Sequence, residues 1–139
     1  MLTRDEEFLL NSARAAAANA YCPYSKFAVG AACESEIGIV SGCNIENASY
    51  GLTVCAERVA LFNARSRGAS RITRLAVSCI TVRPDAAINQ RMCCGACRQV
   101  MVELMQPNAI VIIDGAGVFT LRDLLPAPFW LQSSEINGE

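Results

Sequence analysis

Two short segments carry residue types that could do chemistry: Cys55-Ala56-Glu57-Arg58 and Cys94-Gly95-Ala96-Cys97. Each stands where the pattern of residues predicts the start of a helix. Cys94 and Cys97 are three apart, so in a first helical turn their sulfurs project from one side. Helix N-termini present free N–H groups and the positive end of the dipole, which favour thiolate over thiol. Two such ends converging could grip a cation with Cys55, Cys94 and Cys97, and zinc is the natural occupant of a thiolate site. The chain has no histidine, so any transition-metal site is restricted to sulfur and carboxylate ligands, and Ser-His or Cys-His machinery is excluded. Ligand count separates the kinds of site: a structural zinc is closed by four protein ligands, whereas a catalytic one keeps a place for water. Three well-placed cysteines suggest the open kind; Cys43 or Cys93 as a fourth ligand would close it.

Glu57 points towards catalysis. It follows Cys55 by two residues in an otherwise apolar helix, where an unpaired buried carboxylate would be costly. Beside a water held by zinc it gains a task, accepting a proton and delivering it elsewhere. The plainer reading is a surface pair with arginine. Arg58 has a role from charge counting: three thiolates and a dication sum to −1, and a guanidinium donating to the ligand sulfurs would offset that surplus. An ordinary exposed arginine is the alternative.

The elements that must position these residues can be read around them. Thr3-Arg4-Asp5-Glu6 fits a capping box opening a first helix, with Leu9, Ala13, Ala16, Ala17 and Ala20 on its apolar face and Pro23 beyond its end. Phe27 to Cys33 and Ile37 to Cys43 form a hairpin of strands. Asn44 to Thr53 lacks periodicity and is expected to be a functional loop. Thr53 is expected to cap a second helix, Val54 to about Ser66, apolar nearly all round and therefore buried, with Gly68 closing it. A strand over Ile72 to Val82, a helix from Gly95 to Met105 ended by Pro107, and strands at Ala109 to Ile113 and Val118 to Thr120 complete the series. The order α-β-β-α-β-α-β-β predicts an α/β fold, a three-layer α-β-α sandwich with a mixed five-stranded sheet.

Composition bounds the partners. The 139 residues are 53% hydrophobic and 18% charged, which suits one compact domain over 1–139. Net charge is −1 and no basic run is present, so a nucleic-acid groove is not expected and the substrate should be small. The acidic start, with Asp5, Glu6 and Glu7, does not read as a signal peptide, and no window reaches bilayer length. A cytoplasmic location follows as the expectation. In that compartment the eight cysteines stay reduced, and Cys22, Cys33, Cys43 and Cys79 read as buried small hydrophobes.

At these residues the chain resembles the small homotetrameric cytidine deaminases of the three-cysteine zinc type. The resemblance rests on Cys-Ala-Glu-Arg and Cys-Gly-Ala-Cys-Arg-Gln, on Cys22-Pro23-Tyr24-Ser25-Lys26-Phe27, and on Gly42-Cys43-Asn44-Ile45-Glu46-Asn47-Ala48. It spans about residues 5 to 130. It implies hydrolysis of the exocyclic amine of cytidine or 2′-deoxycytidine by a zinc-activated water with Glu57 as proton shuttle, in pyrimidine salvage. It implies that Phe27 packs near the nucleoside, that Asn44 and Glu46 bond the ribose hydroxyls, and that Ala48, through its backbone, and Tyr50 approach the 5′ side of the sugar from a neighbouring subunit. It further implies that Phe129 stacks on a neighbour's cytosine in a homotetramer with shared active sites. Deaminases of polynucleotides usually carry His-x-Glu as their first zinc segment, where this chain has Cys55-Ala56-Glu57. Two positions depart from the pattern, with Cys93 and Gly51 standing where the family usually has proline. Rival readings are a deaminase of a modified cytosine nucleoside such as blasticidin S, and a non-catalytic zinc-stabilised module that binds a nucleoside.

Overall fold

In the computed structural model of the protein, residues 1–131 are described. Helix α1 (Arg4–Ala16) starts at Thr3, whose side chain accepts the Glu6 N–H while Glu6 reaches back to the Thr3 N–H, so the expected capping box is formed. A short 3-10 turn, Ala17–Asn19, ends it. Strands β1 (Val29–Ser35) and β2 (Gly38–Cys43) make the expected hairpin. They are followed by α2 (Ala56–Ser66), β3 (Ile72–Cys79), α3 (Gly95–Leu104), β4 (Met105–Ile113), β5 (Gly117–Thr120) and a one-turn helix α4 (Leu121–Leu124).

The sheet order is β2-β1-β3-β4-β5. Only β3 and β4 are parallel; the other pairs are antiparallel. Successive strand residues point to opposite faces, and the two faces are covered separately. Leu9, Leu10 and Ala13 of α1 pack on Ala32, Ala76 and Ile112. On the other face, Ala56, Ala60, Leu61 and Ala64 of α2 and Cys97 and Met101 of α3 pack on Ala31, Cys33, Leu75, Val77, Val111 and Ile113. This is the three-layer α-β-α sandwich. Two glycines let the helices approach the sheet: a Cβ at Gly30 would lie 1.9 Å from the Ala13 carbonyl oxygen, and one at Gly42 would lie 2.5 Å from the Ala60 nitrogen.

Several expected boundaries move, each for a local reason. Thr53 does not cap α2. Its hydroxyl accepts the Asn47 N–H at 3.2 Å, Val54 pairs in extended form with Ile45, and Cys55 occupies the N-cap. Nor is α2 buried all round, since Phe62 is exposed and Val59 only half-buried. β3 ends at Cys79 rather than Val82, and β4 begins at Met105 rather than Ala109. Pro107 is tolerated there because pairing with β3 passes from Met105 directly to Ile110, leaving no ladder bond for the missing N–H to lose. Helix α4 was not expected, although Thr120 and Asp123 form a second capping box. Among the described residues no helix is long and apolar enough to cross a membrane.

Candidate metal centre and active-site cleft

Helices α2 and α3 bring their N-termini together. Cys55 is the N-cap of α2 and Cys94 the N-cap of α3, with the Cys97 N–H directed at the Cys94 sulfur, 3.5 Å away. The sulfurs of Cys55 and Cys94 lie 3.8 Å apart and those of Cys94 and Cys97 3.4 Å apart. All three fall within 4.8 Å of one another. A tetrahedral zinc with ordinary thiolate bonds separates its sulfurs by about 3.8 Å, so the trio fits that ion. Cys43 and Cys93, the two possible fourth ligands, lie outside this cluster among the described residues. Cys93 is buried in the main core.

The charges are arranged to suit a cation. Cys55 is held below the ordinary thiol range, chiefly by its hydrogen bond with Cys97 and then by the Arg58 guanidinium, against the opposing effect of burial. Cys97 moves the opposite way because it is the partner that keeps the proton, and burial adds to this. Arg58 directs Nη2 at the Cys55 sulfur from 3.7 Å, and that contact raises its own pKa. Its Nε is buried without a hydrogen-bond partner among the described residues. The arginine therefore faces the sulfurs and is not a surface residue paired to Glu57.

Glu57, only 5% exposed, lines a cleft of about 180 Å³ together with Phe27, Asn44, Cys55, Cys94 and others. Burial is the main cause of its raised pKa, and the negative charge on Cys55 adds to it. Asn44 is buried and holds main chain with its amide, accepting the Val29 N–H at 2.9 Å and donating to the Phe27 carbonyl at 2.7 Å. Glu46 and Tyr50 line an adjoining cleft with Tyr24 and Ser25, and Thr53 borders both clefts. Glu46 accepts the Tyr24 and Ser25 N–H groups, each at 3.1 Å. Tyr50 is exposed and meets Tyr24 edge to face, with ring centroids 6.3 Å apart. Ala48 is exposed in the same loop. Phe129 is 67% exposed and borders neither cleft; its carbonyl accepts from Gln99 at 3.0 Å.

Cys79, Gln90 and Met92, and Val29 of β1, are wall residues that the sequence did not point to. Cys79 had been expected in the core, yet it is half-buried at the end of β3, and Cys22 and Cys43 are likewise only half-buried. Only Cys33 of those four is fully buried. A signal for Cys79 did exist, because ligand sites in open α/β sheets favour the carboxyl ends of parallel strands.

A trio of sulfurs with no fourth protein ligand among the described residues, and a buried carboxylate lining the same cleft, suit a class: a zinc hydrolase on an α-β-α fold. The sequence model of the cytidine and deoxycytidylate deaminase zinc-binding region matches residues 3–113, and the chain belongs to that family. It is 44% identical over 130 residues to the cytidine deaminase of Halalkalibacterium halodurans, covering 90% of this chain and 94% of that one. It is 48% identical over 130 residues to that of Sporosarcina psychrophila, covering 90% and 91%. Among solved structures it is similar to the cytidine deaminase of Burkholderia pseudomallei, with a TM-score of 0.76 and 44% identity over 92% of this chain and 100% of that one. The Mycobacterium tuberculosis enzyme superposes with a TM-score of 0.77 at 39% identity, covering 93% and 100%. Zinc is accordingly the metal for which this centre is built.

Proposed function

We propose that the chain hydrolyses the exocyclic amine of cytidine and 2′-deoxycytidine, giving the uracil nucleoside and ammonia. The observation that carries this reading is Glu57, a buried carboxylate sharing a cleft with Cys55 and Cys94. Zinc held by Cys55, Cys94 and Cys97 would supply Lewis acidity that makes water a nucleophile near neutral pH. Glu57 takes the proton of the attacking water and passes it to N3 of the cytosine ring. As oxygen bonds to C4, Glu57 holds the second proton until the amino group can accept it and leave as ammonia. Its raised pKa favours this exchange, since a group that both takes and gives protons works best near the operating pH. Phe27 packs beside the base, and Asn44 and Glu46 orient the ribose from the two adjoining clefts.

The 1–139 chain acts as a single catalytic domain in pyrimidine salvage, in the cytoplasm, with no nucleic-acid or membrane partner. Its net charge of −1 supports a free nucleoside over a polynucleotide. A homotetramer with shared sites is supported by exposed Tyr50, Leu52, Phe129, Trp130 and Leu131, through which Ala48, Tyr50 and Phe129 would reach a neighbour's nucleoside.

The test is loss of cytidine ultraviolet absorbance together with ammonia release, with zinc content measured in parallel. Turnover should stop on chelation and return with zinc. Glu57→Gln should keep its zinc and lose about 10²- to 10⁴-fold in kcat. Undiminished turnover by that zinc-loaded variant would remove Glu57 from the chemistry.

A further inference from the structure

Between Cys79 and Cys93 the chain leaves the sheet, forms a loop and returns to open α3. The inner end of that loop, Gln90 and Met92, is one wall of the cleft that Glu57 faces. Most of the loop's backbone hydrogen bonds are local turns: Val82 N–H to Cys79, Ala86 to Arg83, Gln90 to Ala87 and Arg91 to Ile88. Its first residues are joined to the body, since Ile80 donates to the Ala28 carbonyl and Thr81 accepts the Ala28 N–H. Met92 packs against the main core and Cys79 Sγ lies 3.9 Å from the Arg91 carbonyl, but the turns of the far end themselves hold nothing outside the loop.

Arg91 links that end to the rest of the protein. Its Nη2 donates to the Arg83 carbonyl at 2.9 Å and approaches that of Pro84 at 3.5 Å, drawing the loop onto itself. Its Nη1 approaches the Asp114 carbonyl at 3.5 Å. The guanidinium rests against Gly115 in the β4–β5 turn, where a Cβ would lie 3.0 Å from Nη1 and 3.1 Å from Cζ. The surface it rests on is itself fastened. Asp114 receives two 2.8 Å bonds from Arg14 of α1 and one of 2.7 Å from Ser78 of β3. A planar fork with several donors can serve carbonyls on both sides, whereas a lysine ammonium acts as a single point charge.

We propose that Arg91 is a positioning residue for the nucleoside cleft: by joining the 80–92 loop to the β4–β5 turn it fixes Gln90 and Met92 opposite Glu57. This rests on the nucleoside reading of that cleft. Arg91 touches neither the sulfur trio nor the reacting atoms, so it governs how well substrate is held and not how fast the bond breaks. Loss of binding common to ground and transition states raises KM and leaves kcat alone.

The experiment compares the zinc-loaded wild-type protein with Arg91→Ala and Arg91→Lys in cytidine turnover, zinc content and amide hydrogen exchange. For Arg91→Ala, KM should rise about tenfold while kcat stays within about threefold. Zinc should remain at the wild-type level, and exchange should quicken over 80–92 but not in α2 or β3. Arg91→Lys should fall between the two, and it becomes the deciding variant if the alanine protein does not fold. An unchanged KM, or a kcat that falls in step with zinc content, overturns the proposal. Inactive wild-type protein would instead defeat the deaminase reading, so the two failures are distinguishable.

Discussion

Gly42 and Gly30 offer a paired test of whether α2 must lie at a set distance from the sheet for the centre to work. A methyl at Gly42 would meet the Ala60 nitrogen at 2.5 Å, with Ala60 Cα and the Val59 carbonyl carbon at 3.0 Å. All three are backbone, so no side chain can rotate away. Contact distances of about 3.5 Å require α2 and β2 to separate by about 1 Å. A methyl at Gly30 meets the Ala13 carbonyl oxygen at 1.9 Å and the Ala17 nitrogen at 2.5 Å, forcing α1 off the opposite face by at least as much. Overpacking of this kind costs about 1–3 kcal/mol or more, which for a domain of this size lowers Tm by about 3–10 °C. Both variants should therefore be destabilised. Only Gly42→Ala displaces the helix that carries Cys55 and Glu57, with Ala60 one turn beyond Glu57. A misplacement of about 1 Å can cost about 10²-fold in rate. We expect kcat/KM per folded, zinc-loaded molecule to fall about 10- to 100-fold in Gly42→Ala and to stay within about threefold in Gly30→Ala. The assay is steady-state cytidine turnover normalised to zinc and to the folded fraction by circular dichroism, well below both melting points. Equal losses in the two variants would refute the reasoning, because the site would then be responding to stability in general.

Two further outcomes are expected. Arg58→Ala removes the guanidinium from the Cys55 sulfur, and zinc affinity measured by chelator competition should drop about 10- to 100-fold; unchanged affinity would return Arg58 to a structural role. Asp114 is held below its ordinary value of 3.8, mainly by the Arg14 hydrogen bond and also by Ser78, against burial. A carboxylate lowered by folding stabilises the protein above its unfolded pKa and loses that contribution as pH falls through the folded value. Asp114→Asn should thus lower Tm near neutrality, and its melting curve should converge on the wild-type curve below about pH 4. A difference in Tm that stays constant into acid would exclude this ionisation as the source.

The parts that local chemistry decides were legible in the sequence. The sulfur trio could be read because three of its constraints are short-range: the Cys94–Cys97 spacing, and the position of Cys55 and Cys94 at helix starts. The first capping box was legible for the same reason. What escaped reading depends on contacts longer than one helical turn. Thr53 has the side chain of a cap, but Asn47 in the preceding loop occupies its hydroxyl. Cys79, Gln90 and Met92 meet Glu57 across 22 to 35 residues of sequence, and no periodicity records that meeting. Asn44 has the side chain of a ligand-binding residue, yet its amide is engaged with Val29 and Phe27. It therefore shapes the cleft as well as lining it.

The placement of Glu57 beside the sulfurs answers a problem of charge. Three thiolates on a dication leave one negative charge, and a carboxylate charge in the same cleft is disfavoured further by burial. Two helix N-termini and the Arg58 guanidinium offset the sulfurs, so the cluster can form. Glu57 itself has a raised pKa, caused first by desolvation and next by the negative charge on Cys55. A fully solvated glutamate would be too weak a base to take a proton from water and would hold it too briefly to pass it on. Burial and a neighbouring thiolate thus both favour the protonated form of Glu57, which suits the proton-carrying role proposed for it. Moving the carboxylate to position 58 would turn it by about 100° around the helix axis, to where Arg58 approaches the Cys55 sulfur outside the cleft lining. The two-residue spacing from Cys55 is therefore what sets the carboxylate in the cleft for the proposed chemistry.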